Sequence, residues 1–377
     1  MRKFSLENPE MMDMLNHQVI HMDQGITYCP EYKVTRAMRH YPSRTAQIIR
    51  SVYLGEIPAS EYGADTIFSS ILSGQGERWQ NFGEDQNGFF LSTILGRELF
   101  CQAGFRKKEC EELKEKIGQN KGHYVSVCDE EIKKWKQELP IEEAGRTGLL
   151  LDEATYAYAG RTKEKIGSFL KSKNIQVSAD FGPYFTGFDY LAAGMIEEGI
   201  KVIKELLNQW EKQGLTKMIT LCGQSQYIFT TLLSYLGLET EIEFISILDL
   251  ADSMDAANVY LYGGSFFTRY LRKDEKLNTL LQNREESVIP NCSEFQPQVD
   301  GDRRKNVVGI WTPPLCAEYH TVGMPDGMAE AIYQDSLFEI QKTSFKKMAV
   351  CDPFAYQTLK EHGNLGNNLL YFTEILH

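Results

Sequence analysis

The chain has 377 residues, of which 42% are hydrophobic, 24% charged and 11% aromatic, and it carries a formal charge of −12 at pH 7. Such a composition excludes disorder, coiled coils and fibrous repeats, and the length predicts two or three folded units. The acidic balance, with a pI near 5.2, argues against a surface built to neutralise phosphates, so no nucleic-acid partner is expected.

The basic runs at 106–108 and 303–305 have acids beside them and read as solvated faces. No apolar segment follows the opening MRKFSLENPEMMD, and no window has the roughly 18 apolar residues that a membrane span needs. The reading is a cytoplasmic protein without direct membrane insertion. The eight cysteines are scattered with no Cys-x-x-Cys pair, which fits neither a disulfide framework nor a closed zinc or cubane site.

From the start to about residue 147 the apolar spacing is helical, with helices expected over 44–55, 89–103 and 109–117. A polar, glycine-rich stretch over 74–88 reads as a long connection. After Pro140 short apolar runs alternate with amphipathic helices, which predicts β-α-β units and mainly parallel sheets. Strands are expected over 148–151, 175–179, 217–221 and 241–247, with helices over 162–172, 188–214 and 226–236. The order then recurs: strands over 259–262, 307–311 and 347–350, and helices over 268–281, 327–343 and 356–362.

The repeat is visible residue by residue. KMITLCGQSQYIFTTLL around Cys222 parallels KKMAVCDPFAYQTLKEH around Cys351, and the cysteines, like Tyr227 and Tyr356, stand 129 positions apart. Each cysteine falls where a strand gives way to a helix, the edge at which α/β sheets place ligands. A buried cysteine there also serves as a small core hydrophobe.

Residues 148–377 resemble the duplicated Cys-Cys-Gly module of heterodisulfide reductases. In that family a leading cysteine, a Cys-Cys-Gly and a Cys-x-x-Cys give thiolates to an iron-sulfur cluster. In the first copy FTGFDYLAAGM overlies the Cys-Cys-Gly segment, so that Phe185 and Thr186 take cysteine places while Gly187 and Gly194 keep glycine places. The family spacing of about 35 residues to the next cysteine separates Thr186 from Cys222. The last ligand place falls on Ser225 and the leading one on Glu153 or Ala154. In the second copy Ser265 takes the leading place, Thr321 and Val322 the cysteine pair, Gly323 and Gly327 the glycines, Cys351 the next ligand and Phe354 the last.

The N-terminal third resembles the helical double-ferredoxin domain that precedes these modules in fused iron-sulfur subunits. Cys29-Pro30, Pro42 to Arg44 and Leu54-Gly55 match its Cys-Pro, Pro-Arg helix and Leu-Gly turn. The other ligand places would fall on Val19, Met22 and Gly25, and a second run near Ser70, Ser73, Gly76 and Gln80.

The resemblance thus implies an α/β chain in three parts: a helical, degenerate ferredoxin-like domain over 1–147 and two pseudo-repeated modules over 148–256 and 257–377. It implies a structural or regulatory subunit of an anaerobic redox or electron-transfer complex, with flavin or iron-sulfur proteins as partners and no enzyme activity of its own. The remnant ligand positions are Cys29, Cys222, Ser225, Ser265 and Cys351. With at most one thiolate at each place, no cofactor is expected and an iron-sulfur cluster is not supported.

The alternative reading is an enzyme or small-molecule binder that reuses the cleft at the strand ends, lined by Glu153, Cys222, Ser225, Ser265, His320 and Cys351. Cys316, His320 and Cys351 form a candidate zinc or reactive-thiol site. His17 and His21, four apart with Asp13 or Asp23 near, form a weaker metal pair. There is no Gly-x-x-x-x-Gly-Lys and no Gly-x-Gly-x-x-Gly after a strand, so nucleotide binding has no support. Gly263-Gly264-Ser265 reads as a turn.

Overall fold

The structure is a computed structural model and describes residues 2–21, 29–75, 87–179, 181–282, 288, 313–315 and 321–377. The strand expected over 307–311 lies outside the described residues, as do Met22, Asp23, Gly25, Gly76, Gln80, Cys292, Cys316 and His320, and the side chain of His21.

The N-terminal part is helical, as its apolar spacing requires. Helices Pro9–His21, Pro42–Tyr53 and Gly88–Gln102 pack on one another, and Gly96 allows close approach, because a Cβ there would lie 2.5 Å from Ile49. Proline opens Pro42–Tyr53 at its first turn, where its missing N–H costs nothing.

The α/β part contains two parallel sheets. The first has the order β4-β2-β5-β6, built from β2 (Thr147–Asp152), β4 (Pro183–Tyr184), β5 (Lys217–Thr220) and β6 (Glu243–Ser246). The second has the order β11-β10-β8, built from β8 (Val259–Tyr262), β10 (Lys347–Val350) and β11 (Leu369–Tyr371). Side chains of β8 and most of β2 are buried, so both read as continuous apolar runs, the pattern of strands covered on two faces.

The two sheets repeat one plan. In each, a leading strand (β2 or β8) pairs with a strand that ends just before a cysteine (β5 before Cys222, β10 before Cys351), which pairs with a third strand (β6 or β11) that runs into a short 3-10 helix. Each leading strand is preceded by a two-residue strand, β1 (Ile141–Glu142) or β7 (Met254–Asp255). That strand pairs in parallel with another lying beyond the helical segments that follow the leading strand, β3 (Val177–Ser178) or β9 (Leu281–Gln282).

Two expected helices are broken. The helix read over 188–214 is two, Phe188–Ala192 and Ile196–Lys212, because Gly194 turns at φ 78°. A side chain there would meet the backbone of Arg97 and Glu98 at 2.7 Å, so the turn and its glycine are fixed by the N-terminal domain resting on them. The helix read over 268–281 is a π turn, Phe266–Tyr270, followed by Asp274–Leu280, with Arg272 at φ 53° between them.

Two buried arginines tie the parts together. Arg97 donates to the carbonyls of Ser70 and Ala192, each at 2.5 Å, and stacks over Phe68. Arg269 donates to the carbonyl of Ser73 at 2.7 Å and to the Ser265 hydroxyl, while Tyr270 donates to the carbonyl of Leu72 at 2.6 Å. The irregular stretch 69–74 is buried throughout, and these donors supply partners for carbonyls that neither helix nor sheet satisfies.

Candidate functional site

The two sheets meet through the helical segments that follow their strands. The helix after β2 (Glu153–Tyr158) packs on the helix after β10 (Pro353–His362), and the helix after β5 (Gly223–Tyr227) packs on the π turn after β8. The leading element of each copy therefore meets the cysteine element of the other, an approximately two-fold arrangement within one chain. A Cβ on Gly223 would stand 2.8 Å from Cβ of Phe266. Tyr158 packs on Phe354 at 5.7 Å, and Arg161 lies over Tyr356 while donating to the carbonyl of Leu369 at 2.7 Å.

Between the copies lies a buried polar layer of Asp152, Thr155, Cys222, Ser225, Asp352 and Tyr371. Cys222 donates to the Ser225 hydroxyl at 3.3 Å and its sulfur accepts from the Ser225 amide at 3.5 Å. Asp152 accepts from the amide and hydroxyl of Thr155 at 2.9 and 2.7 Å. Burial, then the nearby Asp152, pushes the Cys222 thiol well above its ordinary pKa. Burial likewise raises Asp152 and Tyr371, whose neighbouring charges are Cys222, Asp152 and Asp352. A thiol held in its protonated form is a poor nucleophile and a poor metal ligand.

The remnant positions separate accordingly. Cys222 and Ser225 are in contact; Cys351 and Ser265 are buried in the second copy, where Ser265 is held by Arg269. Phe185 packs with Phe68, Cys110 and Tyr190 in a small satellite core, with Val322 against it. Cys29 is buried beside Glu31, to which it donates at 3.1 Å. Glu31 accepts from the Ile71 amide at 2.8 Å, and His40 contacts the Ser69 hydroxyl at 2.8 Å through Nδ1. Cys29 thus sits next to the stretch carrying Ser70 and Ser73. Of the weaker metal pair, His17 lies 3.8 Å from Asp13. Among the described residues no group of three or more His, Cys, Asp or Glu could hold a metal ion, but Cys316 and His320 are outside them.

Glu153, one of the two residues expected at the leading ligand place, is engaged by His123 and Tyr124. Its carboxyl lies 2.5 Å from Nδ1 of His123 and accepts from the Tyr124 amide at 2.7 Å. Burial pushes it up to about 8, with Asp189 adding to the shift, while burial lowers His123. Asp189 is raised to about 6 by burial. His123 lines a cleft of about 550 Å³ with Phe185, Tyr184 and Tyr190 on its walls. Nothing in the sequence pattern marks this pair, which is separated by 30 positions.

No family model matches the chain, and neither a curated protein nor a solved structure does. Among the described residues no helix is long and apolar enough to cross a membrane.

Proposed function

We propose that this chain is a structural or regulatory subunit of a redox complex, related to the heterodisulfide reductase-like subunits, in which two former cluster modules have closed on each other. Its work is to hold flavin or iron-sulfur partners in place rather than to carry electrons. The reading is supported chiefly by the layer between the copies, where the strand ends that would face a ligand face each other and are buried.

The donors do not fit a cluster held by four thiolates. In the first copy no second thiol is near Cys222 among the described residues, where Ser225 and Asp152 lie beside it, Glu153 is engaged by His123, and Phe185 belongs to an apolar core. In the N-terminal domain Cys29 is enclosed by Glu31 and His40, both partners in hydrogen bonds that a cluster would have to displace.

Anaerobic purification followed by iron, zinc and sulfide analysis tests the reading. The expected protein is colourless and metal-free and co-purifies with a flavin or iron-sulfur protein from its native cell. A brown chromophore with about four irons per chain, or a chain that stays alone in an anaerobic lysate, overturns it.

A further inference from the structure

The cleft beside Glu153 is separate from the layer between the copies. It lies between the C-terminal end of helix Lys108–Gln119 with the turn after it, the edge strand β4, and helix Ile196–Lys212. Its volume of about 550 Å³ is in the range of small-molecule sites. Tyr184, Phe185, Tyr190 and Val202 form its apolar side, with Phe185 and Tyr190 in edge-to-face contact at 5.3 Å.

The polar groups are few and ordered. Glu153 engages Nδ1 of His123. Nε2 of His123, on a side chain 31% exposed, has no hydrogen-bond partner among the described residues. Glu198 on the rim is paired with Lys114 at 2.7 Å, and Glu205 lies 3.9 Å from Lys201. Lys121 lines the same cleft without a carboxylate partner among the described residues.

We propose that this cleft binds a small planar aromatic carboxylate, with its ring against Tyr184, Phe185 and Tyr190, its carboxylate at Lys121, and a polar substituent at Nε2 of His123. The proposal stands apart from the subunit reading, since a docking protein with or without this ligand would behave alike in the metal analysis.

The protonation of the pair favours an anionic or acceptor group. Glu153, pushed up to about 8, keeps its proton at neutral pH, and burial lowers His123, which favours its neutral form. The carboxyl then donates to Nδ1, and Nε2 carries the hydrogen and points a donor at the ligand. When Glu153 loses its proton, Nδ1 becomes the donor to the carboxylate and Nε2 an acceptor, which repels an anion's oxygen. The other titratable groups around the pair are Asp152, Asp189, Tyr124 and Tyr158, with Lys116 over the Tyr124 ring at 4.0 Å. Asp189, at about 6, has largely ionised by pH 7 and so adds little to a change between pH 7 and pH 9.

Isothermal titration of the full chain with 4-hydroxybenzoate tests the site. Saturable one-to-one binding at pH 7 is expected, weaker by roughly tenfold or more for His123→Ala, equivalent to about 1.4 kcal/mol, and weaker again at pH 9. Cyclohexanecarboxylate, which lacks the aromatic ring, and 4-hydroxybenzamide, which lacks the charge, should each bind less well. Lys121→Asn removes the cation at an exposed position whose φ of 56° asparagine tolerates. It should weaken 4-hydroxybenzoate several-fold without moving the melting temperature, and so serves if His123→Ala fails to fold. No saturable heat with 4-hydroxybenzoate, or equal affinity in the wild type and Lys121→Asn, overturns the proposal.

Discussion

The two copies share strand order but differ in how they finish the same corner. In the first, the cysteine itself caps the following helix, its sulfur accepting from the Ser225 amide at 3.5 Å. In the second, the cap has moved one residue on: Asp352 accepts from the amides of Phe354 and Ala355 at 2.9 and 3.0 Å. A carboxylate oxygen is the stronger acceptor at a helix N-terminus, where the peptide dipoles favour negative charge. The same strand-to-helix corner is thus closed by a thiol in one copy and by a carboxylate in the other.

A second difference lies at the glycine turns. Gly194 of the first copy and Gly327 of the second both have positive φ, 78° and 72°. Only Gly194 is pressed by another domain: a Cβ there would be 2.7 Å from the backbone of Arg97 and Glu98, whereas around Gly327 nothing lies within 4 Å. Gly194→Ala should therefore be the largest single loss, combining left-handed strain of about 1–2 kcal/mol with displacement of helix Gly88–Gln102. Gly327→Ala should show the strain alone. Urea unfolding of the two variants side by side decides it, and equal losses would mean that the Gly194 contact contributes nothing.

The capping contrast is smaller and also measurable. Asp352→Ala should cost about 1–2 kcal/mol, because two amides of a buried helix end lose their acceptor. Cys222→Ala, which removes a longer and weaker sulfur contact, should cost less. The reverse order in thermal melts would show that the thiol corner, not the carboxylate corner, holds the copies together.

Much of this plan was legible in the sequence. The strands over 259–262 and 347–350 stand where their apolar runs place them, and the shared offset of Cys222 and Cys351 exposes the repeat, since a buried parallel strand needs an unbroken apolar run. The breaks at Gly194 and Arg272 were not legible, for the apolar period continues across both and only the packing of another segment demands the turn. Nor was the face-to-face closure of the copies, because Tyr262 or Leu151 would be as apolar under a covering helix as under a second module. The buried Arg97 looked like one more charge on a helix, and its partners are carbonyls, which leave no mark in a sequence. The resemblance put Glu153 or Ala154 at the leading place, but the orientation of Glu153 toward His123 is not legible, because a helix start and a distant turn share no periodicity.

The last contrast is a slope with pH rather than a single loss, and it isolates Glu153 from the layer between the copies. Glu153 has its pKa raised on folding, from an ordinary 4.5 to about 8, so the folded chain holds a proton that the unfolded chain releases. Its contribution to stability is fully present below about pH 4.5 and is lost as pH rises through 8. The wild type should therefore lose stability between pH 5.5 and 8.5 at this site, and Glu153→Gln, which keeps the shape without the titration, should flatten that part of the curve. Urea midpoints of both proteins at the two pH values give the comparison. Parallel slopes would show that the proton is not held by Glu153, and would move the source of any shared slope to the buried carboxyls of Asp189 and Asp152.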